Sequence, residues 1–409
     1  MGWFVSQVGA REHYAVARGL ARYSSLDRLY TDAWCRLSPR LVARLPGTLG
    51  RYAGRLEPEL DDVKSFEARL GIGYAIDLVT RKAGQSNSHE IRCLNDARRF
   101  ATLVRKDLNR SPLDPLRHAF FGYSTNSLES LVYVRGHGIP AILGQAACGK
   151  TDYEEIAIER SHWPRWEGGP PVLYEEYFAR IHAEREASSA VIVNSRWARD
   201  SALKEGCLPE KLYVVPLAYE PKDRITVANP GGFGRRLRVM WLGQVILRKG
   251  IPYLLMAARL LPGVDFIVAG TIGVDYDLLR DFAPANVCIM GAVPRTRIDH
   301  FLKSADVFVL PTLSDGFALT QVEAMASGLP VITTDRCGEV VTHGVDGYVV
   351  PVRDVQALAD AIDRFDNNRN KLRESSFHAR EKAKNFSLKH YVENLGNVLH
   401  KVAPDTLIT

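Results

Sequence analysis

A short β-branched run, a turn containing glycine, then a stretch with helical spacing: this triplet recurs along the chain and restricts the fold to parallel sheets with crossover helices. In the first half the candidate strands are GWFVS, LDRLYTDA, YAIDLVT, HAFFGYS, PAILG, AVIVN and LYVVP. Helical stretches such as SHEIRCLNDARRFATLVRKDL and LYEEYFARIHAEREASSA lie between them. The segment YEPKDRITVANPGGFGRR, dense in Pro, Gly and charge, interrupts the pattern as a linker. The rhythm resumes with RVMWLG, DFIVAG, NVCIMG, DVFVLP, PVITT and GYVVP, and closes on FHAREKAKNFSLKHYVENLGNVLHKV, helical with no strand after it. The expected class is α/β: two doubly wound, Rossmann-like domains, residues 1–218 and 237–385, facing across a cleft. Residues 219–236 would link them, and the helical tail 386–409 would cross back to the first domain.

Hydrophobic residues at 46% and charged residues at 24% are those of a soluble globular chain. No apolar run reaches the ~18 residues of a spanning helix. The opening MGWFVSQVGAREHYAVARGLARY lacks a cationic leader, so it does not read as a signal peptide. Cys35, Cys93, Cys148, Cys207, Cys288 and Cys337 are scattered without a C-x-x-C pair, which argues against a zinc or disulfide framework and for the reducing cytoplasm. Net charge is +6, yet residues 1–150 hold 22 Lys and Arg against 14 Asp and Glu. Arg36, Arg40 and Arg44 fall four apart beside Leu37, Leu41 and Leu45. This is either a solvated helix edge or a face for an anionic membrane surface or acceptor. Nucleic acid is not an expected partner.

In doubly wound sheets ligands bind just beyond the strand ends, which selects two segments. In DVFVLPTLSDGFALTQVEAMASGLPVITT a strand at Asp306–Leu310 ends at Pro311, a loop with Gly316 follows, and a helix begins near Leu319 and stops at Gly328. The helix start offers backbone N–H groups to an anion. Asp315 and Glu323 bracket that start and can accept hydrogen bonds from sugar hydroxyls; alternatively Asp315 is a helix cap and Glu323 a surface residue. In RVMWLGQVILRKG, Arg248 and Lys249 stand at a helix entry. Two such strand ends in one domain suit a diphosphate.

These residues carry a resemblance. WLGQVILRKG, IVAG, CIMGAVP and LPTLSDGFALTQVEAMASGLPVITT, in this order, resemble the donor-binding half of glycosyltransferase family 4, a retaining family of GT-B architecture. The likeness extends from about Ala187 to the end of the chain. It implies a hexosyl transferase that uses a nucleotide-diphosphate sugar, UDP- or GDP-linked, without metal or further cofactor, on a carbohydrate or lipid-linked acceptor. Polysaccharide or glycolipid biosynthesis would be its setting, with contact to the inner face of the membrane a further possibility. On this reading Lys249, with Gly243, Gln244 and Arg248 beside it, contacts the diphosphate, and Glu323 holds the ribose hydroxyls. Asp315 lies against the donor sugar; Gly316, Phe317, Ala318, Leu319 and Thr320 offer backbone to sugar and phosphate; the region of Val293 receives the base. Gly9, Gln145 and Lys150 face the acceptor.

The chain departs from the family in having Asp315 where glutamate is usual, Gln244 in place of an arginine, and Gln145 where many members have histidine. A catalytically inactive sugar-nucleotide binder is therefore an alternative. Another is a P-loop kinase or ATPase, because GQAACGKT, Gly144–Thr151, matches G-x-x-x-x-G-K-[ST] after a strand. Against it, Asp152, Glu154, Glu155 and Glu159 follow where phosphates would lie, and no later strand ends in an acid for Mg²⁺. The DYD triplet, Asp275–Asp277, resembles a metal-binding D-x-D but opens a helix, where capping is the expected role.

Overall fold

The computed structural model describes residues 2–34, 55–60, 62–65, 89–168, 175–220 and 235–405. Arg36, Arg40, Arg44 and the candidate strand YAIDLVT lie outside the described residues. The first half forms one parallel sheet from β1 (Gly2–Gln7), β2 (Leu26–Thr31), β3 (Val63–Ser65), β4 (His118–Tyr123), β5 (Ala141–Gln145), β6 (Ala190–Val193) and β7 (Leu212–Val214). Their order is β3-β2-β1-β4-β5-β6-β7. The second half forms another from β8 (Arg238–Leu242), β9 (Asp265–Ala269), β10 (Val287–Gly291), β11 (Val307–Leu310), β12 (Val331–Thr334) and β13 (Gly347–Val350). Here the order is β10-β9-β8-β11-β12-β13. Central strands such as β5, β6, β11 and β12 are buried at every residue, as strands covered by helices on both faces must be.

In each sheet the strand order reverses once, between β1 and β4 and between β8 and β11. Such switch points open a crevice beyond the strand ends, so the loops after these strands are the ones placed to hold ligands. The final helix, Leu388–Val402, leaves the second half and packs on the first: Leu388, Tyr391, Leu395 and Leu399 share a core with Trp3, Val16 and Leu20. The tail thus crosses back as its sequence suggested. β3 is an edge strand of three residues, VKS, too short and polar for apolar alternation to reveal.

Candidate functional site

Beyond β8 the chain makes a tight turn, Leu247–Lys249, ending at Gly250 with φ +71°. A Cβ on Gly250 would stand 1.9 Å from the carbonyl oxygen of Pro311, just past β11. The left-handed backbone and this approach both require glycine. The turn is tied to the β11 loop from the other side as well, because the Arg248 carbonyl accepts from Leu313 N–H (2.9 Å) and from the Thr312 hydroxyl (3.2 Å). Gly250→Ala is expected to destabilise the chain by about 2–4 kcal/mol, combining a strained φ with a backbone clash, and a denaturant titration measures it.

Fixed this way, the turn presents two cations to the switch point. Lys249 contacts the carboxylate of Asp315. Burial and the neighbouring Arg248 guanidinium push the Lys249 ammonium down to about 7, and the Asp152 carboxylate opposes the shift. Arg248 Nη1 donates to the Ser314 carbonyl at 2.5 Å and lies 3.7 Å from Asp152 Oδ1. Asp315 is therefore an ion-pair partner and not the helix cap: the cap position is Leu319, and no side chain bonds there. The helix is Thr320–Ala326, and Glu323 in its first turn is only 7% exposed, which rules out the surface reading.

Between Asp315 and that helix the loop is rigidly held. Asp315 N–H donates to the Arg336 carbonyl (2.8 Å), and Phe317, 2% exposed, has its carbonyl bound by Gln321 Nε2 (2.8 Å) and its ring edge-on to Phe386. Ala318 takes φ +58°, a conformation a non-glycine residue holds only when its surroundings impose it, and such sites cluster where ligands bind. Gly316 meets the first domain directly: a Cβ there would stand 1.8 Å from the Ala146 carbonyl oxygen and 3.0 Å from Asn194 Nδ2. The structure thus brings Arg248, Lys249, Asp315 and Gly316 together. Gly243 bonds Ala269 at the end of β9, Gln244 is exposed, Leu319 and Thr320 are half-buried, and Val293 packs partly against the second core. None of these last five makes a described contact with the Lys249–Asp315 pair.

On the first-domain side, Gly9 (φ +83°) follows β1 and donates its N–H to Asp32 Oδ1 at 2.7 Å, beside Arg55. Gln145 is 3% exposed and uses both side-chain atoms internally, accepting from Arg185 Nε (2.9 Å) and donating to the Ala147 carbonyl (3.2 Å). The phosphate-cradle reading of Gly144–Thr151 is overturned. Lys150 N–H, which would face a phosphate, donates to Glu205 Oε1 at 2.5 Å, and a Cβ on Gly149 would lie 2.1 Å from the same oxygen. Cys148 N–H is turned to Asp152 (3.3 Å), and the Lys150 ammonium sits 5.2 Å over the Phe178 ring. A carboxylate 55 residues downstream fills the nest that a phosphate would need. In the DYD triplet, Asp275 accepts from Leu278 N–H (2.9 Å) and Asp277 pairs with Arg280, as capping requires. Among the described residues no group of three or more His, Cys, Asp or Glu is arranged to hold a metal.

Sequence reasoning missed several cleft residues. Glu12, His13 and Tyr14 follow β1 with three consecutive positive φ values, 51°, 53° and 59°, and the Tyr123 hydroxyl donates to Glu12 Oε2 at 3.0 Å. Burial raises the Glu12 carboxyl above its ordinary value. Asn194, directly after β6, could have been found by the strand-end rule. The turn RCGEV, residues 336–340, which the family resemblance implies as part of the cleft wall, touches the first domain: Glu339 accepts from Arg196 N–H (2.9 Å), and Arg336 stacks 4.2 Å over Trp197.

The chain is similar to several known proteins. Residues 236–368 match the family model described as "Glycosyl transferases group 1". The amylovoran biosynthesis glycosyltransferase AmsK of Erwinia amylovora is 25% identical over 267 residues, 60% of this chain and 60% of that protein, so the chain spans under two thirds of it. Among solved structures, sucrose-phosphate synthase from Thermosynechococcus elongatus superposes with a TM-score of 0.69 at 16% identity, covering 98% of this chain and 99% of that one. Anabaena HepE in complex with UDP and glucose superposes with a TM-score of 0.61 at 14% identity, over 98% and 99% of the two chains. The fold is GT-B, two Rossmann-like domains across a cleft. No helix of the described residues is long and apolar enough to cross a membrane.

Proposed function

We propose that the chain is a retaining hexosyltransferase of glycosyltransferase family 4, moving a sugar from a nucleotide-diphosphate donor to an acceptor hydroxyl in polysaccharide or glycolipid biosynthesis. The observation that carries this reading is the Lys249–Asp315 pair at the β8/β11 switch point, inside the segment that matches a glycosyltransferase model. A half-buried ammonium held by one carboxylate is ready to exchange it for a diphosphate. Lys249 then stabilises the charge that grows on the leaving group, together with the uncapped start of the Thr320–Ala326 helix. Asp315, released, can accept hydrogen bonds from the donor sugar, and Glu323 from the ribose.

Neither carboxylate is assigned as a nucleophile. We favour front-face attack, in which the departing phosphate takes the acceptor proton as the sugar becomes oxocarbenium-like. Lys249, Arg248 and the backbone would supply the stabilisation that a metal gives in other transferases, so transfer is expected without one. UDP or GDP is the expected nucleotide carrier, Val293 lies toward its base, and the acceptor enters from the side of Gly9, Gln145 and Lys150. Arg36, Arg40 and Arg44 would bring the first domain to an anionic membrane or acceptor.

A thermal-shift panel of UDP, GDP and ADP sugars tests the donor. One of them, at about 100 times its Kd, is expected to add about 2.7 kcal/mol of stability and raise the melting temperature. No shift with any of the three, without and with Mg²⁺, overturns the proposal.

A further inference from the structure

The helix Lys150–His162 and the turn that follows it come between β5 and β6, so chain order assigns them to the first domain. The first turn of the helix does keep to the first domain, with Lys150 N–H on Glu205, Thr151 on Ser201 and Tyr153 edge-on to Phe178, but from Glu155 onward the contacts are with the second. Trp166, 6% exposed, belongs to the second core, and its carbonyl accepts from Asp275 N–H at 2.7 Å. Trp163 packs edge-on against Phe282 and Tyr253. Glu159 is fully buried, receiving the Tyr253 hydroxyl (2.9 Å) and Arg353 Nε (2.5 Å), while Arg353 Nη2 reaches Glu155 Oε2 at 2.6 Å. Buried charges met this fully from the opposite domain would be costly to pull apart.

Two contacts of this segment land on the turn that bears Arg248 and Lys249. Glu167 Oε1 accepts Leu247 N–H at 2.7 Å, with its other oxygen held by Arg160 Nε (3.2 Å), and the side chain is only 9% exposed. Asp152 Oδ1 accepts the Ser314 hydroxyl at 2.6 Å and faces Arg248. We infer that residues 155–167 form a strap that moves with the second domain, and that Glu167 is a positioning residue fixing the Arg248–Lys249 turn against the diphosphate. Leu247 opens the turn, where helical backbone offers a donor no acceptor of its own, and a carboxylate hydrogen bond is among the stronger ways to hold such a group. The inference rests on the donor-site reading of that turn.

Calorimetric titration of UDP, UMP, GDP and GMP into the wild type, Glu167→Ala, Glu167→Gln and Lys249→Ala separates the two ideas. Glu167→Ala is expected to weaken the diphosphate that the wild type binds by about tenfold and the monophosphate by no more than about twofold. Glu167→Gln keeps an oxygen for Leu247 N–H and is expected to restore most of the affinity. Wild-type diphosphate affinity in Glu167→Ala, or equal losses for mono- and diphosphate, overturns the positioning role while the donor site stands if Lys249→Ala loses binding. Undiminished diphosphate binding by Lys249→Ala overturns the donor site itself, and the inference with it.

Discussion

Lys249→Ala is expected to lower sugar transfer by about a hundredfold or more, the loss typical when a preorganised group that meets developing charge is removed. The chain should still fold, although Asp315 is left as a half-buried carboxylate without its partner, so some stability is lost as well. The pH dependence follows from the same side chain. Free lysine titrates near 10.4 and Lys249 near 7, so between these values the unfolded chain binds more protons than the folded one. Stability from this residue is therefore lowest below pH 7 and rises as the pH climbs from about 7 toward 10.5. Donor binding runs the other way. A diphosphate favours the ammonium, so above pH 7 it must draw a proton onto Lys249, and affinity falls as the pH rises. Titration of the donor at pH 8 in buffers of different ionisation enthalpy should reveal uptake of close to one proton, absent in Lys249→Ala. Full transfer activity in that variant, or proton-neutral binding, contradicts the assignment.

Much of the fold was readable because its signals are local. Short apolar strands that end in Gly or Pro, such as Val307–Leu310 before Pro311, sit in helix-covered sheets and need no partner to be recognised. The strand-end rule led to Lys249, Asp315 and Glu323 for the same reason. What stayed hidden depends on pairing across distance. Lys249 and Asp315 are 66 residues apart, and nothing in either segment announces that one neutralises the other. Glu205, 55 residues beyond Lys150, decides that a letter-perfect phosphate motif holds no phosphate. The strap is hidden more deeply still: Trp163 and Trp166 look like first-domain residues until the core they enter is known to be the second.

Gly316→Ala is expected to reduce transfer by about a hundredfold with little change in the unfolding transition of the second domain. No positive φ is required at this position, so alanine is conformationally acceptable there, and the three atoms nearest to its Cβ all belong to the opposite domain. The clash is severe, because the added carbon would stand 1.8 Å from the Ala146 carbonyl, a backbone atom directly after β5 that cannot rotate away. Relief comes only by parting the two loops by more than an ångström, or by bending the Asp315–Ala318 segment. Either change moves donor-side groups relative to the acceptor side, and displacements of about 1 Å at a reacting centre can cost about a hundredfold in rate. Gly250→Ala gives the contrast: its clash lies within the second domain and should appear first as lost stability. Small-angle scattering of Gly316→Ala against the wild type, measured with transfer rates, distinguishes the two routes, since parted domains enlarge the radius of gyration and a bent loop does not. Wild-type transfer by Gly316→Ala would mean that the close seating of Gly316 on Ala146 is not the geometry in which the reaction occurs.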